Sequence, residues 1–219
     1  MNWKFFLNSL VTVMFPARCP ACGQKMSDYP LPVCRFCKTL ITRPNPLITS
    51  RTGNVRDVWS CSAYEGKLKD CLRAFKYRGE RRYILLFESL IRDFLSAATI
   101  ENPDIIIPVP LHPLKLRTRK YNQAALIAEA LSRLKSIPLS EHILKKTKNT
   151  SPQTGLSRKE RLINLKNSFC VIDPNGIINK KVLLVDDVIT TGATLETCAD
   201  KLMGSGARLV TGFTLAKTM

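Results

Sequence analysis

The chain has 219 residues, and 45% of them are hydrophobic, which is enough for one ordinary α/β domain with a small appendage. This composition argues against a disordered protein. Lys and Arg number 34 against 17 Asp and Glu, a formal net charge of +17. Such an excess attracts polyanions, namely nucleic acid, an anionic membrane surface or a phosphate-rich ligand. Net charge alone does not choose among them, nor does it exclude a role in solubility only.

The first fifteen residues carry one Lys and then an apolar run, which superficially resembles the start of a secretory signal. Pro16 and Arg18 stand where small residues should precede a cleavage site, and Asn8 and Ser9 interrupt the run. The segment is also too short to span a bilayer. We therefore expect no transmembrane span, a cytoplasmic location and a short helix docked on the protein itself. Peripheral contact with the inner face of the membrane is the alternative.

Two C-x-x-C pairs, separated by eleven residues, lie in a Pro-rich stretch without apolar periodicity. Each pair places two thiolates on one tight turn, so all four could meet one tetrahedral cation at about 2.3 Å. Four sulfur ligands leave no open position, which predicts a structural zinc site. Disulfides or a redox pair are the alternatives. The predicted ligands are Cys19, Cys22, Cys34 and Cys37. The other cysteines are expected to be small buried hydrophobic residues: Cys61, Cys71, Cys170 and Cys198.

From residue 55 onward, strand-like and helix-like segments alternate, which predicts an α/β domain with a mainly parallel sheet flanked by helices. We divide the chain into residues 1–50, with the apolar segment and the zinc module, and residues 55–219. The predicted elements are helices over 66–77 and 83–98, a strand over 104–109, a helix over 122–134, strands over 168–172 and 181–185, a helix over 194–203 and a strand over 208–215. Residues 145–166 are polar and basic, and we expect a functional loop there.

The stretch VLLVDDVITTGAT, residues 182–194, carries the clearest ligand-binding pattern in the chain. It predicts a central strand, two carboxylates at its carboxyl end and a Thr-Thr-Gly loop that leads into a helix. The loop would cradle a phosphate at the positive end of that helix. Asp186 and Asp187 could accept hydrogen bonds from the vicinal hydroxyls of a ribose. The predicted phosphate-loop residues are Thr190, Thr191, Gly192, Ala193 and Thr194. An acidic helix cap followed by a Thr-rich turn is the alternative.

These thirteen residues resemble the phosphoribosyl pyrophosphate (PRPP) binding motif of type I phosphoribosyltransferases, and neither a Walker loop nor a dinucleotide fingerprint is present. Further segments extend the resemblance in order along the chain: a C-x-x-C pair, FKYRG (75–79), PVPLHPLKLRTRKYNQA (108–124) and QTGLSRKERLINLKNSF (153–169). Together they resemble the ComF family, which is associated with natural competence in bacteria. The resemblance implies a zinc module, a phosphoribosyltransferase-like domain and PRPP as ligand.

The resemblance also implies that residues 110–113 hold pyrophosphate, with Leu111 and His112 in that turn. His112 is a candidate acid or base, although one His between prolines is more often structural. Residues 145–161 correspond to a loop that closes over the ligand. The loop residues expected to reach pyrophosphate are Arg158, Lys159 and Arg161. Mg²⁺ is the implied cofactor, held mostly by pyrophosphate and water.

Three functions remain open. The first is PRPP binding by a competence protein that also binds single-stranded DNA, with aromatic rings stacking on bases. The second is an active phosphoribosyltransferase with an unidentified acceptor, which releases pyrophosphate without a covalent nucleophile. The third is a non-catalytic adaptor for a DNA-uptake helicase or recombination protein. The predicted nucleic-acid residues are Lys115, Arg117, Arg119, Lys120 and Tyr121, with Tyr77 and Tyr83 as further stacking candidates.

Overall fold

A computed structural model describes residues 18–19, 21–26, 33–41, 47–149 and 167–219. The strands are β1 (Leu47–Thr52), β2 (Val55–Ala63), β3 (Ile105–Pro108), β4 (Leu144–Lys146), β5 (Phe169–Val171), β6 (Lys181–Ile189) and β7 (Leu209–Lys217). The α-helices are α1 (Arg35–Ile41), α2 (Gly66–Tyr77), α3 (Ile84–Ala97), α4 (Pro113–Arg119), α5 (Gln123–Lys135) and α6 (Ala193–Gly204), with a short 3-10 turn at Arg81–Tyr83.

The main sheet has the strand order β1-β2-β7-β6-β3. All neighbouring pairs are parallel except β1 with β2, so the predicted mainly parallel sheet is confirmed. Alternate residues of β6 enter opposite cores. Leu183 and Val185 pack with residues of α2, α3 and α5, whereas Val182 and Leu184 pack with residues of α6. Helices therefore cover both faces, as continuous apolar strands require.

The helices and strands predicted from residue 66 onward are present, with ends shifted by a few residues, whereas the short helix expected in the first fifteen residues lies outside the described residues. Asn122 begins α5 as its cap, since its Oδ1 accepts a hydrogen bond from the Ala124 N–H at 3.1 Å. One face of α2 is buried and includes Leu68, Cys71, Leu72 and Phe75. Cys61, Cys71 and Cys198 are buried as predicted, whereas Cys170 is only partly buried, because its short strand lies outside the main sheet.

Two predictions about strands were wrong in detail. The expected loop over 145–166 begins inside β4, which pairs antiparallel with β5 in a separate two-stranded sheet. A three-residue strand with two lysines shows no readable period, which explains the error. β6 also continues to Ile189, so Asp186 and Asp187 lie within the strand rather than after it. Residues 150–166 lie outside the described residues.

The cysteine-rich segment packs on the main domain through α2. Cys19 and Cys37 are almost fully buried and share a core cluster with Cys71 and Leu72 of this helix. β1 crosses residue 50, the end of our predicted first domain, and the division itself stays a prediction. Within the described ranges, the chain forms no helix with the length and apolarity that crossing a membrane requires.

Candidate functional site

The acidic pair lies near the carboxyl end of β6, which is flanked in the sheet by β3 and β7. Ligands in open α/β sheets bind beyond the carboxyl ends of the strands. The Val109 N–H donates to the Val185 carbonyl at 2.8 Å, which holds the turn after β3 beside Asp186. The two predicted halves of the site are therefore adjacent.

A cleft of about 400 Å³ opens over this edge of the sheet. Asp186 and Asp187 form its floor together with Thr190 and Thr194 of the predicted phosphate loop. Leu111 of the predicted pyrophosphate turn also lines the cleft. Cationic side chains complete the lining: Lys76, Lys115, Arg119 and Lys146. One cleft thus joins carboxylates, hydroxyls and cations, the groups that recognise a sugar phosphate.

Lys76, at the end of α2, neutralises part of the acidic floor. Its Nζ lies 3.1 Å from Oδ1 and 3.0 Å from Oδ2 of Asp187, whose side chain is only 8% exposed. Burial alone would lower the pKa of Lys76, but the charges of Asp187 and Asp186 raise that pKa above its ordinary value. Lys76 therefore stays protonated.

Asp186 lies in a different electrostatic environment from its neighbour. Burial and the charge of Asp187 raise the pKa of Asp186 to about 7, against the lowering effect of Lys76. Near neutral pH the Asp186 carboxyl is therefore about half protonated, and it holds a proton that can be exchanged. A carboxyl with this pKa can donate a hydrogen bond to a hydroxyl when it is protonated and accept one from a hydroxyl when it is ionised.

This raised pKa predicts a pH-dependent stability. Between about pH 4 and 7 the native state keeps the Asp186 proton that the unfolded chain loses, so the free energy of unfolding should fall as pH rises through that window, by up to about 4 kcal/mol. In Asp186→Asn this contribution is absent. Urea unfolding of both proteins from pH 4.5 to 7.5 measures the difference between their free energies of unfolding. If that difference did not change with pH, the raised pKa of Asp186 would be contradicted.

The opposite wall of the cleft concentrates positive charge. Burial and the charges of Arg119 and Lys76 lower the pKa of Lys115, and burial and Lys115 lower that of Lys146. Cations that depress one another's pKa values are crowded, and an anion between them would relieve the repulsion. The arrangement suits a polyphosphate group.

The predicted phosphate loop forms the start of α6. Gly192 is the residue before the helix and has φ of 78°, a left-handed conformation that side chains disfavour. The Thr191 Oγ1 accepts a weak hydrogen bond from the Ala193 N–H at 3.4 Å. A small recess beside the helix N-terminus is lined by residues 188–195 together with Asp186. All five predicted loop residues therefore lie around one helix end.

Several other predicted residues lie outside the cleft. The His112 Nδ1 accepts from the Leu114 N–H at 3.3 Å and caps α4, which favours the structural interpretation. Lys120 ends α4 with φ of 67° and lines a neighbouring cavity, and Arg117 is exposed. Arg158, Lys159 and Arg161 lie outside the described residues.

The stacking role expected of Tyr83 and Tyr121 was wrong. Tyr83 and Tyr121 are 7% and 6% exposed, and the Tyr121 hydroxyl donates to the Phe75 carbonyl. Their rings pack in the core, because an aromatic ring beside basic residues buries its apolar area whenever a helix face allows it. Tyr77, in contrast, is 71% exposed and carries the Arg119 guanidinium over its ring at 5.3 Å.

Sequence reasoning did not single out two polar residues that line the site, Lys76 and Tyr64. Lys76 was detectable, since it follows Leu68 and Leu72 at intervals of four on the buried stripe of α2. A lysine on such a stripe needs a buried partner. Lys146 belongs to the segment expected to close over the ligand but lies in β4, and no local pattern points to Tyr64.

The four cysteines form a cluster whose sulfur atoms all lie within 4.8 Å of one another. Cys22 Sγ and Cys34 Sγ are 3.7 Å apart, close to the value of about 3.8 Å between two sulfurs of a tetrahedral zinc site with 2.3 Å bonds. The backbone N–H groups of Cys34 and Cys37 point at cysteine sulfurs, each at 3.4 Å. This donor set could hold a metal ion.

The thiols themselves are electrostatically unequal. Burial would raise the pKa of Cys19, but backbone hydrogen bonds, above all from Cys34, outweigh it and lower that pKa to about 7. Burial and the neighbouring thiols raise the pKa of Cys37 well above its ordinary value. Four thiolates in so small a space repel one another strongly, so their full ionisation requires a cation.

The fold and the site define a protein with a phosphoribosyltransferase-type domain, and the family model described as "Phosphoribosyl transferase domain" matches residues 122–218. Competence protein F of Haemophilus influenzae is 36% identical over 159 residues, which cover 70% of this chain and 69% of that protein. Competence protein ComFC of Bacillus subtilis is 34% identical over 206 residues, 91% of this chain and 78% of that protein. DNA utilization protein YhgH of Shigella flexneri is 30% identical over 205 residues, 92% and 84% of the two chains. The chain belongs to the ComF family.

Proposed function

We propose that this protein binds PRPP in the cleft above β6. The 5′-phosphate lies at residues 190–194, where hydroxyls and the positive end of α6 meet. The ribose hydroxyls face Asp186 and Asp187, and the pyrophosphate faces Lys115, Arg119 and Lys146. The observation that carries the proposal is this single cleft, in which groups suited to all three parts of the ligand lie side by side.

Mg²⁺ would be held mainly by the ligand rather than by the protein. It prefers oxygen ligands, and pyrophosphate and water would supply most of these. When bound, it would offset part of the pyrophosphate charge. The chain's own lysines and arginine supply the remainder from the opposite wall.

Calorimetric titration with PRPP and Mg²⁺ tests the proposal, at fixed ionic strength because charge-driven binding depends on salt. We expect saturable binding of one ligand per chain. Inorganic phosphate serves as the control for simple anion attraction. Absence of PRPP binding, or equal affinity for phosphate, would contradict the proposal. If the domain also catalyses transfer, pyrophosphate appears only when an acceptor is added.

The names of the relatives point to a role in competence and DNA utilisation. We propose that this chain serves such a process and binds single-stranded DNA. The net charge of +17 supplies the long-range attraction. The exposed ring of Tyr77 with the Arg119 guanidinium over it offers a stacking platform beside a cation at the mouth of the cleft.

Tyr77→Ala should weaken binding of a single-stranded oligonucleotide roughly tenfold, because stacking of one base on an aromatic ring contributes about 1–3 kcal/mol. Fluorescence anisotropy at constant salt measures the change. Tyr77→Phe keeps the ring and serves as the matched control, with near-normal affinity expected. Equal affinity of the alanine variant and the wild type would rule out this platform.

We further propose zinc as the metal of the cysteine cluster. Four thiolates form a soft donor set, and the sulfur separations suit a tetrahedral ion. With no open coordination position, its role is structural.

A further inference from the structure

The Lys76 Nζ contacts both carboxylate oxygens of Asp187 at about equal distances, 3.1 Å to Oδ1 and 3.0 Å to Oδ2. The lysine side chain is 31% exposed and the carboxylate 8% exposed, so the pair is largely removed from water. Such a pair persists only where each charge is well compensated, since the loss of one partner leaves a buried charge. The contact between Lys76 and Asp187 is therefore a fixed structural feature of the cleft.

The helix that carries Lys76 is rigidly anchored. The residues before it, Ala74 and Phe75, are buried, and the Phe75 ring contacts Phe87 and Tyr121. The Arg78 N–H donates to the Ala74 carbonyl and closes the helix one turn later. The position of the ammonium group is thus set by the core rather than by a flexible loop.

A divalent cation at the acidic pair would compete with this ammonium group. Mg²⁺ requires carboxylate oxygens at about 2.0–2.1 Å in octahedral geometry. Both oxygens of Asp187 already bind Lys76. The ammonium group therefore opposes the binding of a second cation at Asp187, whereas each carboxylate oxygen keeps a lone pair that can accept a hydrogen bond from a ribose hydroxyl.

We infer that Lys76 is a built-in counter-cation of the acidic pair, which allows the hydroxyls of a ribose 5-phosphate to bind over Asp186 and Asp187 without a divalent metal. The inference rests on the proposed function of the cleft. Without Lys76, the charge of Asp187 would face an anionic sugar phosphate uncompensated, and the repulsion would have to be relieved by a metal ion from solution. Lys76 removes that requirement for the sugar, and Mg²⁺ serves the pyrophosphate alone.

Ribose 5-phosphate is the decisive probe, because it has the diol and the 5′-phosphate but no pyrophosphate to carry Mg²⁺. The wild type should bind it with the same affinity, within about twofold, with and without Mg²⁺. Lys76→Met should bind it at least about tenfold more weakly without Mg²⁺, since the uncompensated carboxylate repels the anionic sugar phosphate, and added Mg²⁺ should restore part of the loss. Lys76→Arg should behave like the wild type.

Mg²⁺ must be removed by dialysis rather than with a chelator, because a chelator would also strip the cysteine cluster. Lys67→Met is the matched control: it makes the same change on the same helix outside the cleft, and its affinity should stay normal. If Lys76→Met fails to fold, the variant Lys76→Met with Asp187→Asn removes both charges of the pair. It should bind weakly, and Mg²⁺ should not improve its affinity.

Several results would overturn the inference: a wild type that needs Mg²⁺ for ribose 5-phosphate, a Lys76→Met variant with normal affinity, or a loss that Mg²⁺ leaves unchanged. Mg²⁺ rescue of the double variant would overturn it as well. A wild type that binds neither ribose 5-phosphate nor PRPP would refute the proposed function, and the inference with it. Normal PRPP binding together with an unaffected Lys76→Met variant would refute the inference alone.

Discussion

Replacing Asp186 and Asp187 together with asparagine should raise the dissociation constant for PRPP at least about 100-fold, since two charge-assisted hydrogen bonds to the ribose contribute about 1.5–3 kcal/mol each. Asparagine keeps the shape of the floor, and its amide oxygen still accepts a hydrogen bond from Lys76. The loss would thus report the missing carboxylates rather than a collapsed cleft. Calorimetric titration measures it directly.

Asp70→Asn with Asp93→Asn is the matched control for this double variant. It changes the net charge by the same amount, and both residues lie outside the cleft. The metal content of the cysteine cluster should stay unchanged in both proteins. Retained PRPP affinity in the variant of Asp186 and Asp187 would remove the acidic pair from the binding site.

Loss of the proposed metal from the cysteine cluster is expected to have the largest effect on stability. Cys19→Ser with Cys37→Ser should release the metal and lower the melting temperature by more than about 10 °C, because several kcal/mol of stabilisation are lost and each corresponds to about 2–4 °C at this chain length. Both side chains belong to the core cluster shared with α2, so the damage reaches beyond the cysteine-rich segment. Differential scanning calorimetry and elemental analysis measure the two effects.

Cys170→Ser is the control, since this cysteine lies on β5, far along the chain from the cluster. It should keep one metal per chain and a normal melting temperature. A purified wild type that contains no metal and is unaffected by a strong chelator would show that the cluster serves another purpose.

Much of the fold was readable from sequence because its central elements are strongly apolar. Residues 105–107 and 182–185 are continuous apolar runs, and buried parallel strands require such runs. β4 was not readable, because a three-residue strand of one leucine and two lysines carries no period. The burial of Tyr121 was also hidden, since its neighbours in the chain are polar and its partner Phe75 comes from another helix.

The site was only partly predictable for a similar reason. The acidic pair and the phosphate loop are consecutive in sequence, so one motif reveals both. Lys76 and Asp187 are 111 residues apart, and only the packing of α2 against the sheet brings them together. The cationic wall likewise combines α4 with β4, which no local pattern connects.

α2 connects the cysteine cluster with the candidate ligand site, because it contacts both. Its middle, Cys71 and Leu72, packs in the core cluster that contains two of the four cysteines, and its end delivers Lys76 to the acidic pair. On the two proposals above, metal binding at the cluster and sugar-phosphate binding in the cleft depend on the same helix, and any coupling between two such equilibria is reciprocal. We therefore expect that removal of the metal would weaken sugar-phosphate binding as well as lower stability, and that the ligand would in turn slow the loss of the metal.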